Sequence, residues 1–169
     1  TTGQVSPTSD LGMKNKVELG GVVEAPLNPL SLAISSGATY VARGFSGDTK
    51  QQTQLIVKGI KHKGFSLIDT LQPCVTFNHK NTFPWFYERI YKLGEDYDSS
   101  SRTKAFAKAE EWPLRALLKE EEKEKIPTGI FFQEERPTWH EQIPQIKETP
   151  LVKQTIESID ISPLLEEFI

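Results

Sequence analysis

The sequence predicts an α/β fold with a mostly parallel sheet. Helix and strand signals alternate between Asn28 and Leu71, the rhythm of strands joined by helical crossovers. The strand signals are short β-branched and aromatic runs. The helix signals carry start or stop residues of their own.

Residues 1–12 are rich in Gly, Ser, Thr and Pro, show no apolar period, and are expected to form a loop. Asn28-Pro29 is a helix start, with Asn at the N-cap and Pro at the first helical position. Residues 30–36 follow as helix, and Gly37 stops it. Residues 39–45, Thr-Tyr-Val-Ala-Arg-Gly-Phe, predict a strand. Asp48 or Thr49 caps the next helix, whose expected apolar face is Thr53, Ile56, Val57 and Ile60. That helix should end near Lys61-His62-Lys63-Gly64, with cations at its negative end. Residues 65–71 predict a second strand, halted by Gln72-Pro73.

Beyond this point the signals are weaker. Residues 84–92 predict a short helix burying Trp85, Phe86 and Ile90. Residues 113–125 predict a helix with Leu114, Leu117 and Leu118 inward and Glu120-Glu121-Glu122 on a solvated face. Residues 126–132 read as a turn into an edge strand, because Pro127 lacks the N–H of a central ladder. Residues 134–148 look extended, and residues 150–168 suggest an amphipathic helix or arm.

Charge divides the chain. Residues 1–94 hold ten Lys and Arg against six Asp and Glu, whereas residues 95–169 hold ten against seventeen. The polar run from Gly94 to Ser101 marks the change and reads as a linker. A first domain over residues 1–93 and a C-terminal, helix-rich, subunit-packing extension over 94–169 are therefore expected.

A net charge of −3 argues against a dedicated nucleic-acid binder. The longest apolar runs fall far short of the roughly 20 residues of a membrane span, so no membrane association is expected. The N-terminus has neither a basic n-region nor an apolar h-region, and no initiator Met, so the chain is expected to be processed or truncated. A lone cysteine, Cys74, makes no internal disulfide and fits a reducing, cytoplasmic setting.

In a parallel sheet, ligands sit outside the carboxyl ends of the strands. The loops after Phe45 and Leu71, together with the opening Gly/Thr loop, are the candidate site. Cys74 lies three residues past a strand end.

Two of these loops also carry a resemblance. Residues 1–8, Thr-Thr-Gly-Gln-Val-Ser-Pro-Thr, are similar to the T-x-G-Q-x-S-P-T segment of the β subunits of 2-oxoacid:ferredoxin oxidoreductases. His62-Lys63-Gly64-Phe65 and Gln72-Pro73-Cys74-Val75-Thr76-Phe77-Asn78 resemble that family's H-K-G-F and Q-P-C-V-T-F-N. Between them Asn28-Pro29-Leu30 and residues 38–43 fall where expected. Glu135-Arg136-Pro137-Thr138 resembles its E-R-P-T segment. The resemblance spans nearly the whole chain and is loosest over residues 94–125.

The resemblance implies the C-terminal half of a Rossmann-like, thiamine-diphosphate-binding domain with a C-terminal extension. It implies oxidative decarboxylation of a 2-oxoacid with coenzyme A, giving acyl-CoA, CO₂ and reduced ferredoxin. Thiamine diphosphate, Mg²⁺ and a [4Fe–4S] cluster are the implied cofactors, and an α or fused αγ subunit and ferredoxin the implied partners. Thr1, Thr2, Gly3 and Gln4 would contact thiamine diphosphate. Cys74 would ligate the cluster. No residue is assigned a catalytic role. Thr2 stands at a variable position where some relatives carry Lys, which leaves substrate preference open. The GDG-type motif and the Asn-containing segment that hold Mg²⁺ and the diphosphate in such subunits are not in these 169 residues, and the other three cluster thiolates would belong to a missing N-terminal half.

Plainer readings stand beside these. A single cysteine is by itself most often a buried, inert small hydrophobe, and a Thr/Gly/Gln/Ser loop an ordinary surface turn. His62, His79 and His140 lack zinc-ligand spacing; His62 reads as a cation near a helix end. Lys58, Lys61 and Lys63 read as a solvated helix end, or as a basic patch steering an acidic ferredoxin. Trp112 and Trp139 read as packing or interface residues, and Asp69 as structural. Two rival functions remain: a non-catalytic scaffold chain docking another subunit, and a flavin or nucleotide reductase. The second lacks its glycine fingerprint, since Gly20-Gly21 runs into Val22-Val23-Glu24.

Overall fold

Asn28 begins the ordered framework. In the computed structural model, which describes residues 3–112, 125–155 and 160–167, its side chain accepts hydrogen bonds from the Leu30 and Ser31 N–H groups at 3.1 and 3.3 Å. That caps helix α1, Pro29–Ser35. Its amide donates to the Ala109 carbonyl at 2.8 Å, tying α1 to the end of α4, Arg102–Ala109.

Strand β1, Tyr40–Phe45, and helix α2, Thr49–Lys61, follow as expected, with Asp48 capping α2 through the Gln51 N–H. Strand β2, Ser66–Leu71, pairs parallel with β1. Helix α3, Phe83–Tyr87, is shorter than the sequence suggests, because Ile90–Lys92 leaves it to form β3. Phe86 is buried, while Trp85 and Ile90 are half-buried against it.

Strand β4, Ile126–Gln133, lies inside the sheet, not at its edge: the order is β2-β1-β4-β3. The proline is tolerated because of where its missing N–H would point. Ile126 N donates to Arg89 O and Thr128 O accepts from Leu93 N, so alternate residues serve β3. Pro127 faces the other way, toward β1, and the β1 pairing with β4 has already ended at Gly129. The β1–β4 pair is antiparallel and the other two are parallel, so the mostly parallel sheet is as predicted. The charge break at Gly94 is no break in the sheet, since β4 lies beyond it.

A register shift places Phe131 and Phe132 together opposite Val41. Such a bulge turns two successive side chains toward one face, and both rings join the core of Leu30, Ile34, Val41 and Ala105 beneath α1 and α4.

The other sheet face carries Tyr40, Ala42 and Leu55. Here the expected face of α2 is corrected. Leu55 and Gly59 point inward, and Ile56, Val57 and Ile60 are exposed. Gly59 decides this. A Cβ there would sit 3.0 Å from the end of Ile68 and 3.3 Å from the Tyr40 ring, so glycine lets the helix lie close with neither side chain displaced. Tyr40 also donates to the Leu55 carbonyl at 3.0 Å, and burial pushes its hydroxyl up to about 12.

The chain divides into two compact units, 1–136 and 137–169. The second holds the short helices α5, Trp139–Gln142, and α6, Pro144–Lys147, where the sequence suggests an extended run. Thr138 and Glu141 form a capping box that starts the first of them. A 3₁₀ turn at Leu151–Lys153 and helix α7, Ser162–Glu166, lie in the stretch expected to end in an amphipathic helix or arm. The helix expected over residues 113–125 lies outside the described residues except for Lys125. No described helix is long and apolar enough to cross a membrane.

Candidate functional site

Two loops, about seventy residues apart in sequence, meet at one cavity. The first runs from Gly3 to Asp10. Ser6 and Ser9 brace it, with Ser6 N donating to Ser9 Oγ at 2.9 Å and Ser9 N returning to Ser6 O at 3.0 Å. Leu27 N donates to Pro7 O at 2.8 Å, fixing the loop just ahead of α1.

The second loop leaves β2 at Leu71. Pro73 is buried and Cys74 is exposed. The Cys74 carbonyl accepts from the N–H groups of Phe77 and Asn78 at 3.3 and 2.9 Å, which turns the chain tightly. Asn78 Oδ1 then accepts from Lys80 N and Asn81 N, both at 3.0 Å, and holds the following turn.

The loops touch in two places. A Cβ on Gly3 would lie 3.3 Å from the Phe77 ring, and Gly3 has φ +79°, so both contact and backbone conformation favour glycine. Lys80 Nζ pairs with Asp10 Oδ2 at 3.3 Å. Gly3, Gln4, Cys74, Phe77 and Asn78 line a cavity of about 330 Å³, at the small end for ligand sites.

The structure therefore brings Gly3, Gln4 and Cys74 together. Thr1 and Thr2 lie outside the described residues. Cys74 is not the buried hydrophobe of the plain reading. Among the described residues no three His, Cys, Asp or Glu side chains converge as a metal site. The described lining residues are mostly polar, with Gln4, Ser6, Asp10, Gln72, Asn78 and the Cys74 thiol among their groups.

His62 is better described as a packed ring than as a cation. It stacks at 5.5 Å on Tyr40 and bonds Thr39 Oγ1 at 2.9 Å, and burial pulls its pKa below the usual 6.5, opposed by the charge of Glu135. Lys58, Lys61 and Lys63 are exposed. Trp112 packs against the Phe45–Phe86 cluster, and Trp139 is exposed.

Sequence reasoning missed Phe77 and the pairing of Arg43 with Asp69. Asp69 is structural, as expected: its Oδ2 accepts from Arg43 Nε at 2.8 Å. Arg43 is wholly buried, with its guanidinium 4.9 Å from the Trp112 ring and 5.7 Å from that of Phe131. Desolvation lowers its pKa, and the Asp69 charge and hydrogen bond raise it again. Leaving a buried charged donor unmet costs on the order of 1–3 kcal/mol or more, and Nη1 has no hydrogen-bond partner among the described residues. The signal for this pair was one charge in each of two adjacent, otherwise uncharged strands.

Residues 74–148 match the family that describes the C-terminal region of the pyruvate ferredoxin oxidoreductase beta chain. The protein is 38% identical to a 2-oxoacid:ferredoxin oxidoreductase subunit beta of Saccharolobus solfataricus, over 99% of this chain and 58% of that one. A subunit of the same description from a Sulfolobus species is 42% identical over the same shares. A solved 2-oxoglutarate:ferredoxin oxidoreductase from Magnetococcus marinus, with 2-oxoglutarate, coenzyme A and succinyl-CoA bound, superposes with a TM-score of 0.77 at 28% identity. The match covers 97% of this chain and 52% of that one. The chain thus spans little more than half the length of these relatives.

Proposed function

We propose that this chain, a relative of the C-terminal part of 2-oxoacid:ferredoxin oxidoreductase β subunits, serves the oxidative decarboxylation of a 2-oxoacid. Carbon dioxide leaves, the acyl group passes to coenzyme A, and the electron pair left behind goes to ferredoxin. The activity belongs to a longer β subunit working with an α or fused αγ subunit in the cytoplasm. The convergence of the Gly3 and Cys74 loops on one cavity carries the reading.

Thiamine diphosphate, when bound, stabilises the carbanion that decarboxylation generates. The residues present fit contact with part of it. Gly3 and Gln4 line the cavity, and Thr1 and Thr2 precede them in the chain. Mg²⁺ and most of the diphosphate would be held by segments these 169 residues do not include. Cys74 fits one thiolate of a [4Fe–4S] cluster, being exposed on a loop tied down through its own carbonyl; such a cluster takes four thiolates, so three come from elsewhere. Trp112 and Phe86 also line the cavity.

Intact mass with iron and thiamine analysis on the natively purified assembly tests this. Thiamine diphosphate and about four irons per cluster are expected, with the iron lost in Cys74→Ala. An iron-free, thiamine-free assembly in which Cys74→Ala changes nothing would overturn the reading.

A further inference from the structure

Arg43 is a permanent charge that its surroundings meet only in part. Its side chain is 1% exposed, Nε is committed to Asp69, and Nη1 is buried without a hydrogen-bond partner among the described residues. It lines a second cavity, of about 220 Å³, that shares Thr8, Asp10, Gln72, Phe86 and Trp112 with the larger one.

The charges around this cavity are already balanced. Asp69 pairs with Arg43, and Asp10 pairs with Lys80. A strong field does not draw a ligand here; unfilled donor geometry does. A guanidinium offers its N–H groups as a planar fork that matches two oxygens of one anionic group, which an ammonium does not.

We propose that this cavity is an oxyanion subsite, in which the unpartnered Nη1 of Arg43 holds a carboxylate or phosphate oxygen of a small ligand. Gln72 and Thr8 on the cavity wall supply further polar groups. Nη1 is closed off from solvent in this structure, so occupancy moves the guanidinium or the Trp112 ring that covers it. Trp112 fluorescence therefore reports binding. The inference needs neither thiamine nor iron, and stands or falls apart from the reaction proposed above.

The test is a fluorescence titration of the natively purified assembly with inorganic phosphate and, separately, with 2-oxoglutarate. A saturable change that disappears in Trp112→Phe is expected with at least one probe. Arg43→Lys keeps the charge beside Asp69 but not the fork, and should weaken binding by about tenfold or more. Response to phosphate alone assigns the subsite to a phosphorylated ligand, and response to 2-oxoglutarate alone to a carboxylate; both support it. Asp69→Asn gives a test of opposite sign that does not depend on Arg43→Lys folding. It frees the guanidinium from its internal competitor and should tighten binding. No saturable change with either probe, or unchanged affinity in Asp69→Asn, overturns the proposal.

Discussion

Strands β1 and β2 run side by side in parallel and differ in almost everything else. β1 pairs on both edges and all six of its residues are buried. β2 pairs with β1 alone among the described strands, and only Leu71 is fully buried. The chain leaves β1 straight into a capped helix, but leaves β2 through a proline and presents Cys74. The interior strand holds; the edge strand delivers. Exposed loops carried by a rigid sheet are less constrained than the strands that hold them.

Paired truncations break this contrast most directly. Phe45 ends β1 among the rings of Phe83, Phe86 and Tyr87, at centroid distances of 5.8, 5.4 and 5.2 Å. Phe45→Ala is expected to lose about 3–5 kcal/mol in urea unfolding. Leu67→Ala, in half-buried β2, should lose about 1–2 kcal/mol. Equal losses would show that the two strands are held alike.

A smaller effect sharpens the account of how β1 is secured at its exit. Asp48 caps α2 and pairs with Lys92 of β3, and the Lys92 hydrogen bond, more than that of Gln51, holds its carboxyl below the usual range. Asp48→Ala should cost about 1 kcal/mol, and Asp48→Asn less, because the amide still accepts from Gln51. A silent Asp48→Ala in the same unfolding assay would remove the cap from the explanation.

The smallest effect concerns the entry shared by both strands. Thr39 Oγ1 accepts from Phe65 N at 2.8 Å and bonds His62. Burial depresses the His62 pKa in the folded state below the usual 6.5. The neutral ring is thus favoured by folding, so its contribution is full above about pH 6.5 and is lost as pH falls through the depressed value. Thermal melts from pH 7.5 to 5 should show that loss, and His62→Gln should flatten it. An identical slope in the variant would assign the acid sensitivity elsewhere.

Local chemistry is legible in the sequence. Asn28 and Asp48 cap their helices as their side chains and spacing require, and the boundaries of β1 and β2 follow from β-branched and aromatic runs. Tertiary choices are not legible in the same way. The apolar stripe of Ile56, Val57 and Ile60 is a sound amphipathic signal, yet Gly59, invisible to such a count, brings the opposite side onto the sheet. Pro127 argues for an edge, but its register places the missing N–H beyond the ladder. At the site, Gly3, Gln4 and Cys74 emerge through resemblance. The Arg43–Asp69 pair does not, because nothing local says that two charges on different strands will share a register.

The contact of Gly3 with Phe77, reinforced by Lys80 and Asp10, has a thermodynamic corollary. Two loops that each complete the other's surroundings do not become ordered independently. Were a ligand to steady the glycine loop, it would lower the cost of steadying the cysteine loop, and by linkage the help would be returned in equal measure. Occupancy of either half of this cavity is, in that sense, information available to the other.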